Sequence, residues 1–204
     1  MNRKGNTQNI RYLWVAGVVE LILVVLLLVL TGKPSLTNWV ARGAALLGYI
    51  TISAAIVSSY FMRQMVRWFG YPFVKVHHGL SIAGLALIAV HPIAAAVSLS
   101  FTTWIPRFDS LRLFFTWGGP PAFYLIAIAT LAALLRKAIG RNWKLLHELD
   151  YIALLLATVH GILLGTDLRS LAIRIVAIAM ALVVTAVFVL KRLQDRARAR
   201  ARKK

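Results

Sequence analysis

Histidine binds metals and carries protons near neutral pH, and this chain sets all five of its histidines in two long apolar stretches. The first, HHGLSIAGLALIAVH, runs from His77 to His91 with thirteen residues between those two. The second, WKLLHELDYIALLLATVH, starts at Trp143 and holds His147 and His160 with twelve between them. An imidazole in hydrocarbon must find a partner or cost several kcal/mol, roughly 2–7. Four imidazoles on two apolar segments make two bis-histidine pairs, the ligation by which a membrane protein holds b-type haem. Zinc fits less well, because it takes three or four ligands converging on one point. The absence of cysteine excludes disulfides, iron–sulfur ligation and covalent haem attachment. A haem here is held by ligation and packing alone.

The elements that must position these rings follow from hydropathy. Apolar residues make up 60% of the 204, with a mean hydropathy of +0.75, above the roughly 45–50% of a soluble domain. The excess falls in runs of about twenty residues, enough to cross ~30 Å of hydrocarbon. The pattern predicts an all-α integral membrane protein, a six-helix bundle holding haem between helices three and five. The expected helices cover residues 12–30, 39–62, 74–101, 120–135, 145–165 and 171–190. The first is too long for a signal-peptide core and no small-residue cleavage site follows it, so it reads as retained. Gly32 and Pro34 stop it. Small residues in the second helix (Gly43, Ala44, Gly48, Ser53, Ala54) permit close packing. Pro92, next to His91, should kink the third helix or free a carbonyl. Residues 102–119 form the longest connection. The chain thus divides into a cytoplasmic N-terminus (1–11), the six-helix haem-binding domain (12–190) and a basic cytoplasmic tail (191–204). The tail is expected as a frayed or helical extension in the headgroup layer.

The net charge of +18 raises the question of nucleic acid. The basic residues, however, sit between the apolar runs and in the last fourteen residues, so membrane topology explains them and no nucleic-acid partner is expected. Six spans put both termini on one side. Eighteen of the 24 Lys and Arg fall on that side, which makes it cytoplasmic by the positive-inside rule. The expected location is the cell membrane, multi-pass, in contact with lipid. His77 and His147 then lie near the inner face. His91 is roughly 21 Å deeper and His160 about 20 Å further out, at ~1.5 Å per residue. Depth pairs His77 with His147, and His91 with His160.

Azimuth is less tidy. Fourteen residues return to within about 40° of the same helix face, but thirteen leave His160 about 140° from His147. Either the fifth helix is locally distorted, as by a π-bulge, or the two haems approach it from different sides. His78 sits about 100° from His77 and reads as a packing residue, while its pairing with His147 stays open. Glu20, inside the first helix, fits a proton relay, a quinone ligand or a paired carboxyl. Glu148 and Asp150 flank the inner level and balance Lys144 and Arg141. Arg63, Arg67 and Lys75 inside, and Arg107, Arg112 and Arg169 outside, can pair haem propionates, although topology accounts for each singly.

At these residues the chain resembles the ferric reductase-like transmembrane domain family. That family includes the haem-bearing half of NADPH oxidases and ferric reductases, and the MsrQ (YedZ) haem-binding subunit. The resemblance rests on His77-x13-His91, on His147-x12-His160 and on the lead-in Trp143-x3-His147-x3-Tyr151, and it covers about residues 10–190. It implies that His77 and His147 ligate an inner haem b, and His91 and His160 an outer one. Size and the lack of appended domains look most like the MsrQ type, which hands electrons to a periplasmic methionine sulfoxide reductase. That type commonly has arginine where His77 stands, so the complete quartet leans towards the oxidase and ferric-reductase branch. Fourteen residues after the sixth helix cannot form that branch's flavin and nicotinamide domains, and a stand-alone transmembrane domain is expected.

The expected function is transmembrane electron transfer through b-type haem, two predicted and at least one. The donor is a cytoplasmic flavoprotein reductase or quinol, with FMN or quinone as a further cofactor at the cytoplasmic side. The acceptor lies at the outer face: a periplasmic or extracellular reductase, ferric iron or oxygen. On this reading the chain is an oxidoreductase subunit that needs separate donor and acceptor partners. The alternative is a haem-free channel, transporter or structural membrane protein that uses its histidines for packing or proton relay.

Overall fold

A computed structural model describes residues 17–18, 21–22, 24–25, 35–69, 73–98 and 100–201. They are helical apart from short turns, with no strand among the described residues. Four helices are long and apolar enough to cross a membrane, by length and composition: Leu36–Ser58, Val74–Val97, Arg136–Leu164 and Leu171–Ala201. Gly119–Leu134 is also apolar but has 16 residues, about 24 Å at ~1.5 Å per residue, short of a ~30 Å core. Of the expected first helix, only residues 17–18, 21–22 and 24–25 are described, and they are helical. The rest of it, Glu20 included, lies outside the described residues. The chain folds as two compact units that divide between Ser100 and Phe101.

The first unit contains α1 (Leu36–Ser58), α2 (Met62–Phe69) and α3 (Phe73–Ser98). Ser35 caps α1 by accepting a hydrogen bond from the Asn38 N–H, which satisfies one of the orphan donors of the first turn. The helix stops four residues before its expected end. Near that stop the Ser58 and Ser59 hydroxyls donate to the Ala55 and Ile56 carbonyls, a local alternative to the helical ladder. Residues expected as loop then form α2, where Arg63 and Arg67 stand four apart among apolar neighbours, the pattern of an interfacial helix.

Helices α1 and α3 pack antiparallel through a reciprocal glycine contact. A Cβ on Gly48 would lie 3.1 Å from Ile88, and one on Gly84 would lie 2.7 Å from Ile52. Each helix offers Gly-x3-Ile, and the glycine of one receives the isoleucine of the other. The buried face of α1 recurs at Ala41, Ala44, Gly48, Ile52 and Ala55, one stripe of a 3.6-residue period. Pro92 lies inside α3, which continues to Ser98. The proline withholds an N–H from the Ile88 carbonyl without ending the helix.

The second unit contains α4 (Leu111–Thr116), α5 (Gly119–Leu134), α6 (Arg136–Ile139), α7 (Trp143–His147), α8 (Leu149–Leu164) and α9 (Leu171–Ala201). The expected long connection therefore holds a 3-10 turn, Phe101–Trp104, and the short α4, capped by Ser110. Helix α5 opens on Pro120 and Pro121, where a missing N–H has no intrahelical partner to lose. Its buried stripe, Ala122, Ile126, Ala129 and Ala132, packs mainly on α8 and α7. Gly140 makes the turn before α7 with φ 66°, a region open to glycine. Helix α9 buries Ala177, Ala181, Val184 and Val187 and runs unbroken to Ala201. The basic tail is thus helical through that residue, as its Ala and Arg content favours.

Candidate functional site

The four candidate histidines are all partly buried, and two lie in each unit. His77 and His91 share the unbroken α3, which keeps their separation along the axis near the expected ~21 Å. His147 ends α7, and His160 lies in the last part of α8. Between α7 and α8 the helix is interrupted at Glu148, with φ −72° and ψ −7°. There the Tyr151 N–H bonds the Glu148 carbonyl three residues back, a tightened turn rather than a π-bulge. A local distortion of this helix was one of the two solutions to the thirteen-residue spacing.

All four rings make the same anchoring contact. The His77 Nδ1 lies 3.0 Å from the Ala55 carbonyl oxygen, and that of His91 lies 2.8 Å from the Ala41 carbonyl. The His147 Nδ1 is 3.2 Å from the Ala129 carbonyl, and that of His160 is 2.7 Å from the Thr116 carbonyl. A carbonyl oxygen can only accept, so each Nδ1 must carry the proton and donate it. In the neutral ring that leaves the lone pair on Nε2. This is the tautomer and orientation a metal-ligating histidine takes when a backbone carbonyl holds its other nitrogen. His78 is exposed, and its ring centroid lies 6.2 Å from that of His77.

The acceptors were not visible as functional residues in the sequence. Three of them are alanines on buried helix faces, Ala41, Ala55 and Ala129, with Ala129 wholly buried. A carbonyl oxygen has two lone pairs, and a small side chain leaves one of them open to a ring from the neighbouring helix. The Ala55 carbonyl accepts from the Ser58 hydroxyl as well as from His77. Gly119 has a related part: a Cβ there would sit 3.0 Å from the His160 Nε2. Its only signal in the sequence was the Gly-Gly-Pro-Pro start of the helix.

Around His147 the surroundings are aromatic and charged. Trp143 lies with its ring 5.9 Å from the imidazole, and the Asp150 Oδ2 is 3.4 Å from Nδ1. Glu148 pairs with Arg192 of α9, and the Arg192 guanidinium rests over Phe188, which in turn packs on Tyr151. Glu148 therefore balances a basic residue of α9 rather than Lys144 or Arg141 alone. An apolar cavity of about 420 Å³ lies between α8 and α9, with the Glu148–Arg192 pair in its lining. On the other candidate side, Arg107 lies over the Trp117 ring at 5.8 Å, and the Tyr124 hydroxyl donates to the Trp104 carbonyl. Among the described residues no three His, Asp or Glu converge on one point. No family model, no curated protein and no solved structure matches the chain.

Proposed function

We propose that this chain is a transmembrane b-type haem electron-transfer protein, taking electrons from a cytoplasmic flavin or quinol donor to an acceptor at the outer face. The observation that carries the reading is the shared state of the four rings: each of His77, His91, His147 and His160 gives its Nδ1 proton to a backbone carbonyl and so presents Nε2 as a donor atom. Each carbonyl contact also satisfies its ring inside hydrocarbon, so the support for ligation is the repetition of one tautomer at four spaced positions. A proton relay uses both nitrogens in turn, and a carbonyl on Nδ1 offers no proton to pass on.

The pairing of His77 with His147, and of His91 with His160, rests on matched depth in the sequence, as does the assignment of inner and outer levels. When bound, haem supplies the one-electron chemistry, and the protein supplies ligation, orientation and exclusion of water. The residues present fit that division. Alanine carbonyls and the Thr116 carbonyl fix ring orientation, and Gly119 leaves room beside the His160 Nε2. Basic side chains near each level are suited to propionates, and the excess of basic residues beside the termini suits an acidic cytoplasmic donor surface. The four-histidine spacing resembles that of ferric reductase-like transmembrane domains, and that resemblance motivates an acceptor protein, ferric iron or oxygen at the outer side.

The test is the absorption spectrum of the purified protein with pyridine haemochromogen counting. A low-spin b-type spectrum with about two haems per chain is expected from four ligands in two pairs. A protein with no Soret band after haem supplementation would leave the haem-free channel, transporter or scaffold as the better account. A stoichiometry fixed near one would remove the inner pair.

A further inference from the structure

The contact between Asp150 and His147 sets this histidine's surroundings apart in a way the carbonyl anchors do not. The Asp150 Oδ2 lies 3.4 Å from the His147 Nδ1, beside the Ala129 carbonyl at 3.2 Å. The two side chains stand three residues apart across the helix interruption at Glu148. That spacing puts them on neighbouring positions of one helical surface. Asp150 is well shielded, with 19% of its side chain exposed. The adjacent acid, Glu148, is engaged by Arg192, which leaves Asp150 as the carboxylate directed at the ring.

We propose that Asp150 is a positioning residue for His147, its carboxylate acting on the Nδ1 proton that the ring gives to the Ala129 carbonyl, so that Nε2 becomes a stronger donor to iron and the inner haem takes the lower of the two reduction potentials. This rests on the haem reading above. The physical basis is the carboxylate–histidine–metal arrangement, in which an acid on the distal nitrogen fixes the ring and raises ligand basicity. A more basic ligand and a nearby negative charge both stabilise ferric over ferrous iron, because the oxidised state carries one more positive charge. His160 is ten residues from Asp150, about 15 Å along a helix, and its Nδ1 faces the Thr116 carbonyl. The effect therefore belongs to one haem. A lower potential at the inner level than at the outer one makes electron movement from the cytoplasmic to the outer side downhill.

The experiment is spectroelectrochemical titration of the haem-loaded full chain, with low-spin electron paramagnetic resonance, for wild type, Asp150→Asn, Asp150→Glu and Asp195→Asn. Asp195 lies on α9 near Arg198 and is 63% exposed, so its variant removes one negative charge without touching the ring. Asp150→Asn should raise the lower midpoint at least tenfold in the redox equilibrium constant, 59 mV for one electron. It should leave the higher midpoint in place and alter one of two low-spin signals. Asp150→Glu should return towards wild type, and Asp195→Asn should leave both midpoints unchanged. Two haems with unmoved midpoints in Asp150→Asn would overturn the proposal, as would an equal shift in Asp195→Asn. If Asp150→Asn loses one haem, recovery of that haem at a low potential in Asp150→Glu supports the positioning role, and loss in both variants overturns it. A wild-type protein that never binds haem refutes the functional reading itself, and this inference with it.

Discussion

Gly119→Ala tests the site with one methyl group. A Cβ at this position would lie 3.0 Å from the His160 Nε2 and 3.3 Å from Cε1, about 0.4 Å inside ordinary contact. The ring has little room to retreat, because its Nδ1 is held 2.7 Å from the Thr116 carbonyl on the other side. Moving away distorts that hydrogen bond, which is worth about 0.5–1.5 kcal/mol net, and staying put costs overpacking strain of about 1–3 kcal/mol. Taken together the two routes weaken whatever Nε2 holds by about 0.5–3 kcal/mol, with tenfold in affinity near the middle of that range. The assay is haem titration into haem-depleted protein, read in the Soret region. One of two binding phases should weaken about tenfold or vanish while the other stays. Two unchanged phases would mean that the His160 Nε2 is not a ligand, and the outer level would lose its case.

Other outcomes follow from the same geometry. His91→Ala and His160→Ala should each remove the same haem, judged by which midpoint disappears, while His78→Ala should leave both in place because that residue is exposed and differently directed. Gly84→Ala should destabilise the first unit by about 1–3 kcal/mol, since its Cβ would meet Ile52 at 2.7 Å. A double-mutant cycle with Ile52→Val, read by thermal or denaturant unfolding in detergent, should show coupling between the two positions. Sidedness is read in vesicles: a donor reductase with reduced nucleotide should reduce the haems of inside-out vesicles and leave sealed right-side-out vesicles oxidised. The rate should fall with added salt, as exposed charges are screened beyond about 8 Å at physiological ionic strength.

The sequence made the long apolar helices legible because a run of twenty apolar residues has few other uses. It could not separate a membrane span from shorter pieces inside the same hydropathy. The break at Glu148 interrupts a run that reads as continuous, and α2 hides in what looks like a basic loop. The end of α1 at Ser58 depends on serine hydroxyls turning to nearby carbonyls, a choice made in three dimensions. The histidines themselves stood out by residue type and spacing. Their anchors did not, because a backbone carbonyl has no letter of its own. Ala41, Ala55 and Ala129 look like ordinary small packing residues until a ring is seen against each carbonyl. Asp150 and Glu148 read alike in the sequence, and only the Arg192 contact divides them into a paired acid and one that faces the imidazole.

Helix α9 is continuous over 31 residues, about 46 Å at ~1.5 Å per residue, while a hydrocarbon core takes up ~30 Å. A span across such a core leaves roughly 16 Å of the helix over as a stiff post. Rigidity gives that post a metric use. A fluorophore or spin label on Arg200 would keep a defined distance from the rest of the helix, where the same label on a flexible tail would average over many distances. Its distance to a label on Lys191 should stay near nine residues of helix, about 14 Å, and the pair would serve as an internal ruler for watching a partner arrive.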